Sequence, residues 1–438
     1  MPTLSYQAIA PLLPEFSGNL YIAYSGGVDS HVLLHLCAQQ FQLRNKIVAV
    51  YIDHGLQAQA ESWGEHCHQQ ADVLGVRFQN LQVDAKAQNG ESPEAAARDA
   101  RYQALQGLLK TDDLLWVAQH REDQMETVLL QLFRGAGVQG LAAMPVITTF
   151  GSGRLVRPLL NTAKAEILAY AQRHSLNWIE DPSNLSSDFD RNFLRNEIVP
   201  LLKQRWPSLD KTLARSAQHC ADAAELIEDS ACELIKHRFN PADQSLSLEK
   251  ADQLSPAQYN LLLRQWFRQL GLKPPSQAQL NSLKQQLLGA RADAIPQIHL
   301  QGHIFQKYRQ QLFCLSKPQL LPIDEQDWPQ ESTVLSLSNA YVLSRTPAES
   351  GINQQLWHQA KITLKPRSGG EKLKLPGRMG QHCLKKLFQE AGIPAWERQT
   401  RPLIYLDNKL AAVAGLWIAD WAWTQAPQAG YQITWQPA

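Results

Sequence analysis

The sequence contains no C-x-x-C pair. Its six cysteines, Cys37, Cys67, Cys220, Cys232, Cys314 and Cys383, are scattered over 438 residues. That spacing argues against a zinc ribbon, a thiolate-held cluster or a disulfide framework, and it suggests a reducing compartment. No apolar run reaches the roughly 18 residues needed to span a bilayer. Met1-Pro2-Thr3-Leu4 does not open a basic-then-apolar secretory signal, so a cytoplasmic protein without a membrane partner is expected. Neither charge is in excess: 42 Lys and Arg face 41 Asp and Glu, for a net charge of +1. A polyanionic partner must therefore be sought in local clusters. G-x-x-x-x-G-K-[ST] is missing, as is G-x-G-x-x-G, which excludes a Walker A loop and a dinucleotide fingerprint. No useful internal repeat is present. His66-Cys67-His68 is read as a solvated helix face, because neighbouring helical residues point in different directions.

Hydrophobic residues make up 44% of the chain and charged residues 19%, enough for sizeable cores and about three domains at roughly 150 residues each. From residue 18 to about 180, buried strand patterns (Leu20–Tyr24, Ile47–Ile52, Val76–Val83, Leu114–Ala118) alternate with helical ones. This predicts an α/β domain with a parallel sheet, whose ligand site lies beyond the carboxyl ends of the strands. From Asp188 to about Ala290 the pattern reads as helical. Short alternating runs return over Gln297–Leu315. A proline-rich linker is expected near 316–332, followed by a small α+β domain over 333–438.

The richest motif is Ser25-Gly26-Gly27-Val28-Asp29-Ser30, between the first strand and a helix. Two glycines let backbone N–H groups approach a phosphate, and the helix start adds partial positive charge. Ser25 and Ser30 add hydroxyls. Asp29 would meet a polyphosphate through a bridging Mg²⁺. A second motif, His120-Arg121-Glu122-Asp123-Gln124-Met125-Glu126-Thr127, opens a helix after the fourth strand. Asp123, Glu126 and Thr127 share a face there. Asp29 and Asp123 are the candidate metal ligands, and Glu126 the group to hold or deprotonate an amine nucleophile. Arg98 and Arg101, one turn apart, could clamp phosphate or pair with Glu94 and Asp99. Arg134-Gly135-Ala136-Gly137 could end the helix or approach the nucleotide.

The SGGVDS loop resembles that of the ATP pyrophosphatases, which bind ATP and split it between the α and β phosphates. The ordered set is similar to the tRNA(Ile)-lysidine synthetase family: DHG at 53–55, EAAARDARY at 94–102, AQHREDQMET at 118–127, RGAG at 134–137, RPLL at 157–160, WIEDPSN at 178–184, DRNFLRNEIVPLL at 190–202 and KKLFQEAGIPAWERQTRPLIY at 385–405. Glu122 stands where the family often has aspartate, so no metal role is given to it. The resemblance implies a Rossmann-like ATP pyrophosphatase domain over 1–215, a mainly helical tRNA-contacting domain over 216–318 and a small α+β tRNA-binding domain over 333–438. It implies ATP and Mg²⁺ as cofactors, with free L-lysine and the tRNA(Ile) bearing a CAU anticodon as substrates. No protein partner is evident. ATP would adenylate O2 of the wobble cytidine, and the amine of lysine would attack C2 and expel AMP. Implied ATP contacts are Ser25, Gly26, Gly27, Val28, Asp29, Ser30, His54, His120, Arg134 and Gly135. Asp29, Asp123, Glu126 and Arg98 are the implied catalytic set.

A tRNA enzyme needs basic surface. Ten Lys or Arg face three Glu over 361–401, among them Lys365, Arg367, Lys372, Lys374, Arg378, Lys385 and Arg398. Arg191 and Arg195 are a second candidate RNA contact, unless they pair with Asp188 or Glu197. A tRNA thiolase of the same superfamily, a small-molecule synthetase and a nucleotide-sensing RNA-binding protein without catalysis remain alternatives.

Overall fold

The computed structural model describes residues 4–12, 14–53, 59–83, 93–182, 186–288, 297–316 and 320–437. The chain divides into two compact units, Met1–Glu228 and Asp229–Ala438.

In the first unit, strands and helices alternate in chain order: β1 (Leu20–Ala23), α1 (Val28–Ala38), β2 (Ile47–Asp53), α2 (Ala60–Leu74), β3 (Arg77–Gln82), α3 (Pro93–Leu108), β4 (Leu114–Trp116) and α4 (Arg121–Phe133). A hairpin, β5 (Ile147–Phe150) and β6 (Gly153–Val156), and helix α5 (Lys164–Arg173) follow. The six strands are ordered β3-β2-β1-β4-β6-β5, and only β5 runs antiparallel to its neighbour. The expected parallel sheet is present, with the β5–β6 pair added at one edge. Continuous apolar strands demand cover on both faces. Val32, Leu33, Leu34, Leu36 and Cys37 of α1 are buried almost completely, in one core with Leu20, Ile22, Trp116, Ile167 and Tyr170. Tyr21, Leu105, Leu109, Leu115 and Leu155 form the core on the other face.

Beyond α5 come α6 (Asp190–Phe193), a π-helical turn at Leu194–Ile198, α7 (Val199–Arg205) and the long α8 (Leu209–Lys236). Leu194 and Val199 seat this segment on Met125 and Leu129 of α4.

The stretch expected to be helical up to about 290 is interrupted by β7 (Phe239–Asn240) and β8 (Ser245–Ser247), ahead of α9 (Pro256–Gln269) and α10 (Gln277–Leu283). Strands of two and three residues are too short to carry a period-2 signal. They extend an antiparallel sheet with β9 (Gln297–Leu300), β10 (His303–Tyr308) and β11 (Gln311–Leu315), in the order β7-β8-β11-β10-β9. Phe267 stacks on Phe305 at 4.8 Å within its core.

The C-terminal part contains β12 (Gln326–Asp327), β13 (Val334–Ser336), β14 (Tyr341–Asn353), α11 (Gln354–Gln359), β15 (Ile362–Lys365), β16 (Lys372–Leu373), β17 (His382–Cys383), α12 (Leu384–Glu390), α13 (Ala395–Thr400), β18 (Leu403–Leu406), β19 (Lys409–Val413), β20 (Trp417–Ile418) and β21 (Trp423–Pro437). The strands make sheets of order β12-β15-β18-β19-β20 and β13-β14-β21, and β16 pairs only with β17. The second half of the expected linker is therefore structural. β12 pairs with β15, and Ile323 and Trp328 belong to the core of this part.

Candidate active site

β2 and β4 lie on opposite sides of β1, so the chain reverses its winding direction between β1 and β4. That crevice is the expected ligand position in an open α/β sheet. The loops leaving β1 and β4 carry the two sequence motifs, and a single pocket there is lined by Ser25, Gly27, Asp29, Ser30, Tyr102 and Asp123, among others.

The glycine turn is held by its own serines. Ser30 Oγ donates to Gly27 O at 2.9 Å, and Ser25 N–H donates to Ser30 Oγ at 3.3 Å. Gly26 has φ +81°, and a Cβ there would lie 2.6 Å from Ile179 Cδ1 and 3.0 Å from Cys67 Sγ. Glycine is thus required at 26 by conformation and by space. Cys67 is fully buried, which corrects the reading of His66–His68 as wholly solvated. At Gly27 a Cβ would meet only Ser25 Oγ, at 3.6 Å. Protein packing leaves that space open, and a phosphate can enter it.

The start of α4 is a charge network. His120 N–H donates to Asp123 Oδ2 at 2.9 Å and closes the first turn. The buried His120 ring has Nδ1 3.3 Å from Glu122 Oε2, and Nε2 3.4 Å from Asp123 Oδ2 and 3.8 Å from Asp29 Oδ2. Burial opposes an imidazolium here. The Glu122 carboxylate and the charges of Asp123 and Asp29 outweigh it, so the His120 pKa is raised. Burial works against the Glu122 carboxylate as well, but His120 and the Lys164 N–H (2.9 Å) bring its pKa down to about 2.

Glu126 is only 2% exposed. Its oxygens accept from Arg195 Nε at 2.7 Å, Arg195 Nη2 at 2.8 Å and Arg191 Nε at 2.8 Å. Both guanidiniums also reach Asp123 Oδ1, at 3.1 Å and 3.4 Å. The π-helical turn carries Arg195, one turn beyond Arg191; such turns recur at functional sites. The pairing bears on two readings. Arg191 and Arg195, the second candidate RNA contact, pair with Glu126 and Asp123 in place of the alternative partners Asp188 and Glu197. Glu126 is also not a free base, because both its oxygens are already bound to cations.

Sequence reading missed Lys164 at the first turn of α5. Its ammonium donates to both oxygens of Asp29, at 2.6 and 2.7 Å. Its only sequence signal is the position of Thr162-Ala163-Lys164 just after Arg157-Pro158-Leu159-Leu160. Asp29 and Asp123 both face His120 Nε2, so two carboxylates converge beside the glycine turn. Among the described residues no cluster of three or more His, Cys, Asp or Glu could hold a metal alone. Two carboxylates fit a Mg²⁺ that takes its remaining ligands from phosphate and water.

Other expected contacts fall elsewhere. Arg134 and Gly135 end α4, about 16 Å along its axis from Asp123 at 1.5 Å per residue, and neither lines the pocket. His54 lies outside the described residues. Arg98 and Arg101 of α3 stack on Tyr102, at 5.2 and 5.7 Å, and Arg101 lines the pocket.

Much of the basic C-terminal stretch is internally paired. Lys365 meets Glu325 at 2.9 Å, Arg367 meets Glu371 at 3.5 Å, Lys374 meets Asp420 at 2.8 Å and Arg378 meets Glu390 at 3.0 Å. Arg398 donates to Ile393 O at 2.7 Å and lies 3.4 Å from the Tyr308 hydroxyl. Lys372 and Lys385 form no ion pair among the described residues. No helix of the described residues is long and apolar enough to cross a membrane.

Comparison with known proteins agrees with this layout. Residues 3–202 match the model of the PP-loop domain, residues 246–313 that of the TilS substrate binding domain, and residues 362–435 that of the TilS substrate C-terminal domain. The tRNA(Ile)-lysidine synthase of Methylococcus capsulatus is 41% identical over 92% of this chain and 93% of its own. That of Pectobacterium atrosepticum is 40% identical over 96% and 95%, and that of Coxiella burnetii 38% identical over 96% and 94%. A pyrophosphatase-type loop at the sheet's reversal point, carboxylates set against it and this similarity over nearly the whole length place the chain in the tRNA(Ile)-lysidine synthase family.

Proposed function

We infer that the protein is an ATP-dependent ligase that forms lysidine at the wobble cytidine of tRNA(Ile). The observation that carries this is one pocket holding both the Ser25–Ser30 turn and the carboxylates of Asp29 and Asp123. The chemistry has two steps. Cytosine O2 attacks the α-phosphate of ATP and pyrophosphate leaves. The lysine amine then attacks C2, losing a proton, and the C2–O2 bond breaks to release AMP. Activation is needed because an unmodified O2 is a poor leaving group.

Residue roles follow from the geometry. The open space at Gly27, the backbone N–H groups of the turn and the start of α1 receive phosphate. Asp29 and Asp123 would hold Mg²⁺, which would neutralise phosphate charge and polarise the α-phosphate. Lys164 occupies Asp29 in the described state and is placed to move onto the departing pyrophosphate. Glu126 anchors Arg191 and Arg195 at the rim. Domains bounded at 1–215, 216–318 and 333–438 divide the work, the first for chemistry and the others for holding tRNA. Lys372 and Lys385 are the foremost phosphate contacts. The ion-paired Lys365, Lys374 and Arg378 can exchange exposed carboxylates for phosphate at small cost, because surface pairs are worth about 0–1 kcal/mol, whereas Arg367 is held by the largely buried Glu371.

The test is incubation with ATP, Mg²⁺, labelled lysine and a tRNA(Ile) transcript carrying CAU. Lysine should enter RNA only when position 34 is cytidine, with one AMP released per lysidine, and nucleoside mass spectrometry identifies the product. Lysine-independent sulfur transfer, or ATP binding without turnover, would refute the reading.

A further inference from the structure

Arg121, the first residue of α4, does not line the pocket. It bonds instead to two segments that follow much later in the chain. Its Nε donates to Asp210 Oδ2 at 2.7 Å, its Nη1 donates to Asn161 O at 2.9 Å, and its backbone N–H donates to Thr162 O at 3.0 Å. The Arg121 and Asp210 side chains are only 15% and 9% exposed, so this is not a surface pair. Asp210 lies in the first turn of α8, where the helix dipole favours a carboxylate. Glu122, next in α4, continues the same seam. It accepts from the Lys164 N–H and lies 3.6 Å from Lys203 Nζ of α7.

These bonds converge on one short loop. Arg121 holds Asn161 O and Thr162 O, Glu166 Oε2 accepts from the Ala163 N–H at 2.8 Å, and Glu122 accepts from the Lys164 N–H. The backbone is thus pinned at each residue from Asn161 to Lys164. The Lys164 ammonium, at the end of this loop, reaches Asp29. A lysine side chain is long, flexible and costly to order, so where its ammonium rests depends on where its backbone is rooted. That root depends on the Arg121 guanidinium. The guanidinium is aimed by Asp210. A buried guanidinium that loses its carboxylate is left with an uncompensated charge. It then turns toward water and releases Asn161 O.

We propose that Asp210 is a positioning residue for the lysidine-forming reaction. Acting through Arg121, it fixes the 161–164 loop and so places the Lys164 ammonium on Asp29 beside the nucleotide turn. Asp210 does not line the pocket and acts only at second hand. The inference rests on the lysidine-forming reading for the role of Lys164, and a chemical readout of Lys164 itself separates the two.

The experiment uses the full-length enzyme. Acetylation by an N-hydroxysuccinimide ester, followed by peptide mass spectrometry, reports how firmly the Lys164 amine is engaged, with Lys372 and Lys385 as internal references. Asp210→Asn and Arg121→Gln should each raise the relative labelling of Lys164 by about threefold or more and lower kcat for AMP release by about tenfold, with the KM for tRNA unchanged. Raised Mg²⁺ should recover part of that loss. Asp210→Glu, which keeps the charge, should stay within about twofold of the native enzyme in both readouts. In a Lys164→Met background, Asp210→Asn should add less than about a twofold loss, because the residue it acts through is gone. A merely structural Asp210 would multiply the two losses. That result, or native labelling of Lys164 in both single variants, would overturn the proposal. If Asp210→Asn does not fold, Arg121→Lys repeats the test, because an ammonium keeps the charge but lacks the fork that spans Asp210 and Asn161. Labelling that rises as stated, in an enzyme that makes no lysidine, would refute the function while leaving the positioning.

Discussion

Replacing Glu126 by Gln tests the network at the start of α4. The substitution preserves shape and removes one negative charge that faces two guanidiniums. Breaking a buried ion pair on one side costs about 3–5 kcal/mol. Two features reduce that figure here. The Arg195 side chain is 38% exposed and can turn to water, whereas that of Arg191 is only 19% exposed. Asp123 also remains within 3.4 Å of both. A loss of about 2–3 kcal/mol follows. For a unit of this size, Met1–Glu228, that is a drop of roughly 5–10 °C in the first unit's unfolding midpoint, at about 2–4 °C per kcal/mol. Calorimetry of the full chain reads it directly. Because Arg191 and Arg195 also grip Asp123, tRNA adenylation and lysine transfer should fall together. A midpoint within about 1 °C of the native one, with adenylated tRNA accumulating, would refute this account and restore Glu126 as a base for lysine.

Other outcomes follow from the same geometry. Asp29→Asn should abolish AMP release while tRNA affinity in a filter-binding assay stays close to native. Lys164→Met should leave tRNA binding intact, weaken ATP turnover and leave the Asp29 carboxylate to repel phosphate unless Mg²⁺ is raised, so a magnesium titration should partly rescue it. Glu122 has its pKa lowered from 4.5 to about 2, so its contribution is fully present above pH 4.5 and is lost as pH falls toward 2. Glu122→Gln should therefore narrow the acid-induced loss of stability, by at most about 3 kcal/mol at 1.4 kcal/mol per pKa unit. This is measured by urea unfolding at a series of pH values. Lys372→Ala with Lys385→Ala should raise the KM for tRNA, leave that for ATP unchanged and lower the salt slope of binding by roughly 0.7–0.9 per lost phosphate contact.

The sequence was most legible where chemistry and local structure coincide. Strand, Ser25–Ser30 turn and helix are adjacent in the chain, and the buried runs at Leu20 and Ile47 have no other use than a covered sheet. The carboxylates of α4 share a face by helical spacing alone. What stayed hidden depends on partners far away in sequence. Arg191 lies three residues from Asp188 in sequence but bonds Glu126, 65 positions earlier. Lys374 finds Asp420, 46 positions later. Lys164 looked like an ordinary helix-start lysine until the fold brought Asp29 to it. β7 and β8 escaped because two or three residues hold too little pattern, and Trp328 passed for linker because prolines surround it. Local signals predict elements, and long-range packing decides which of the distant charges meet.

The nucleotide turn carries one such long-range debt. Ile179 N–H donates to Gly26 O at 2.9 Å, and its side chain fills the space beside the glycine's missing Cβ. The two residues are 153 positions apart. On a ribosome adding about 5–20 residues per second, Gly26 emerges roughly 8–30 s before its partner exists. During that interval the SGGVDS segment lacks the clamp that fixes its turn. A nascent chain stalled before residue 179 should therefore have a sheet begun but no competent ATP loop. The newborn enzyme thus cannot hold nucleotide until most of its first unit has been made.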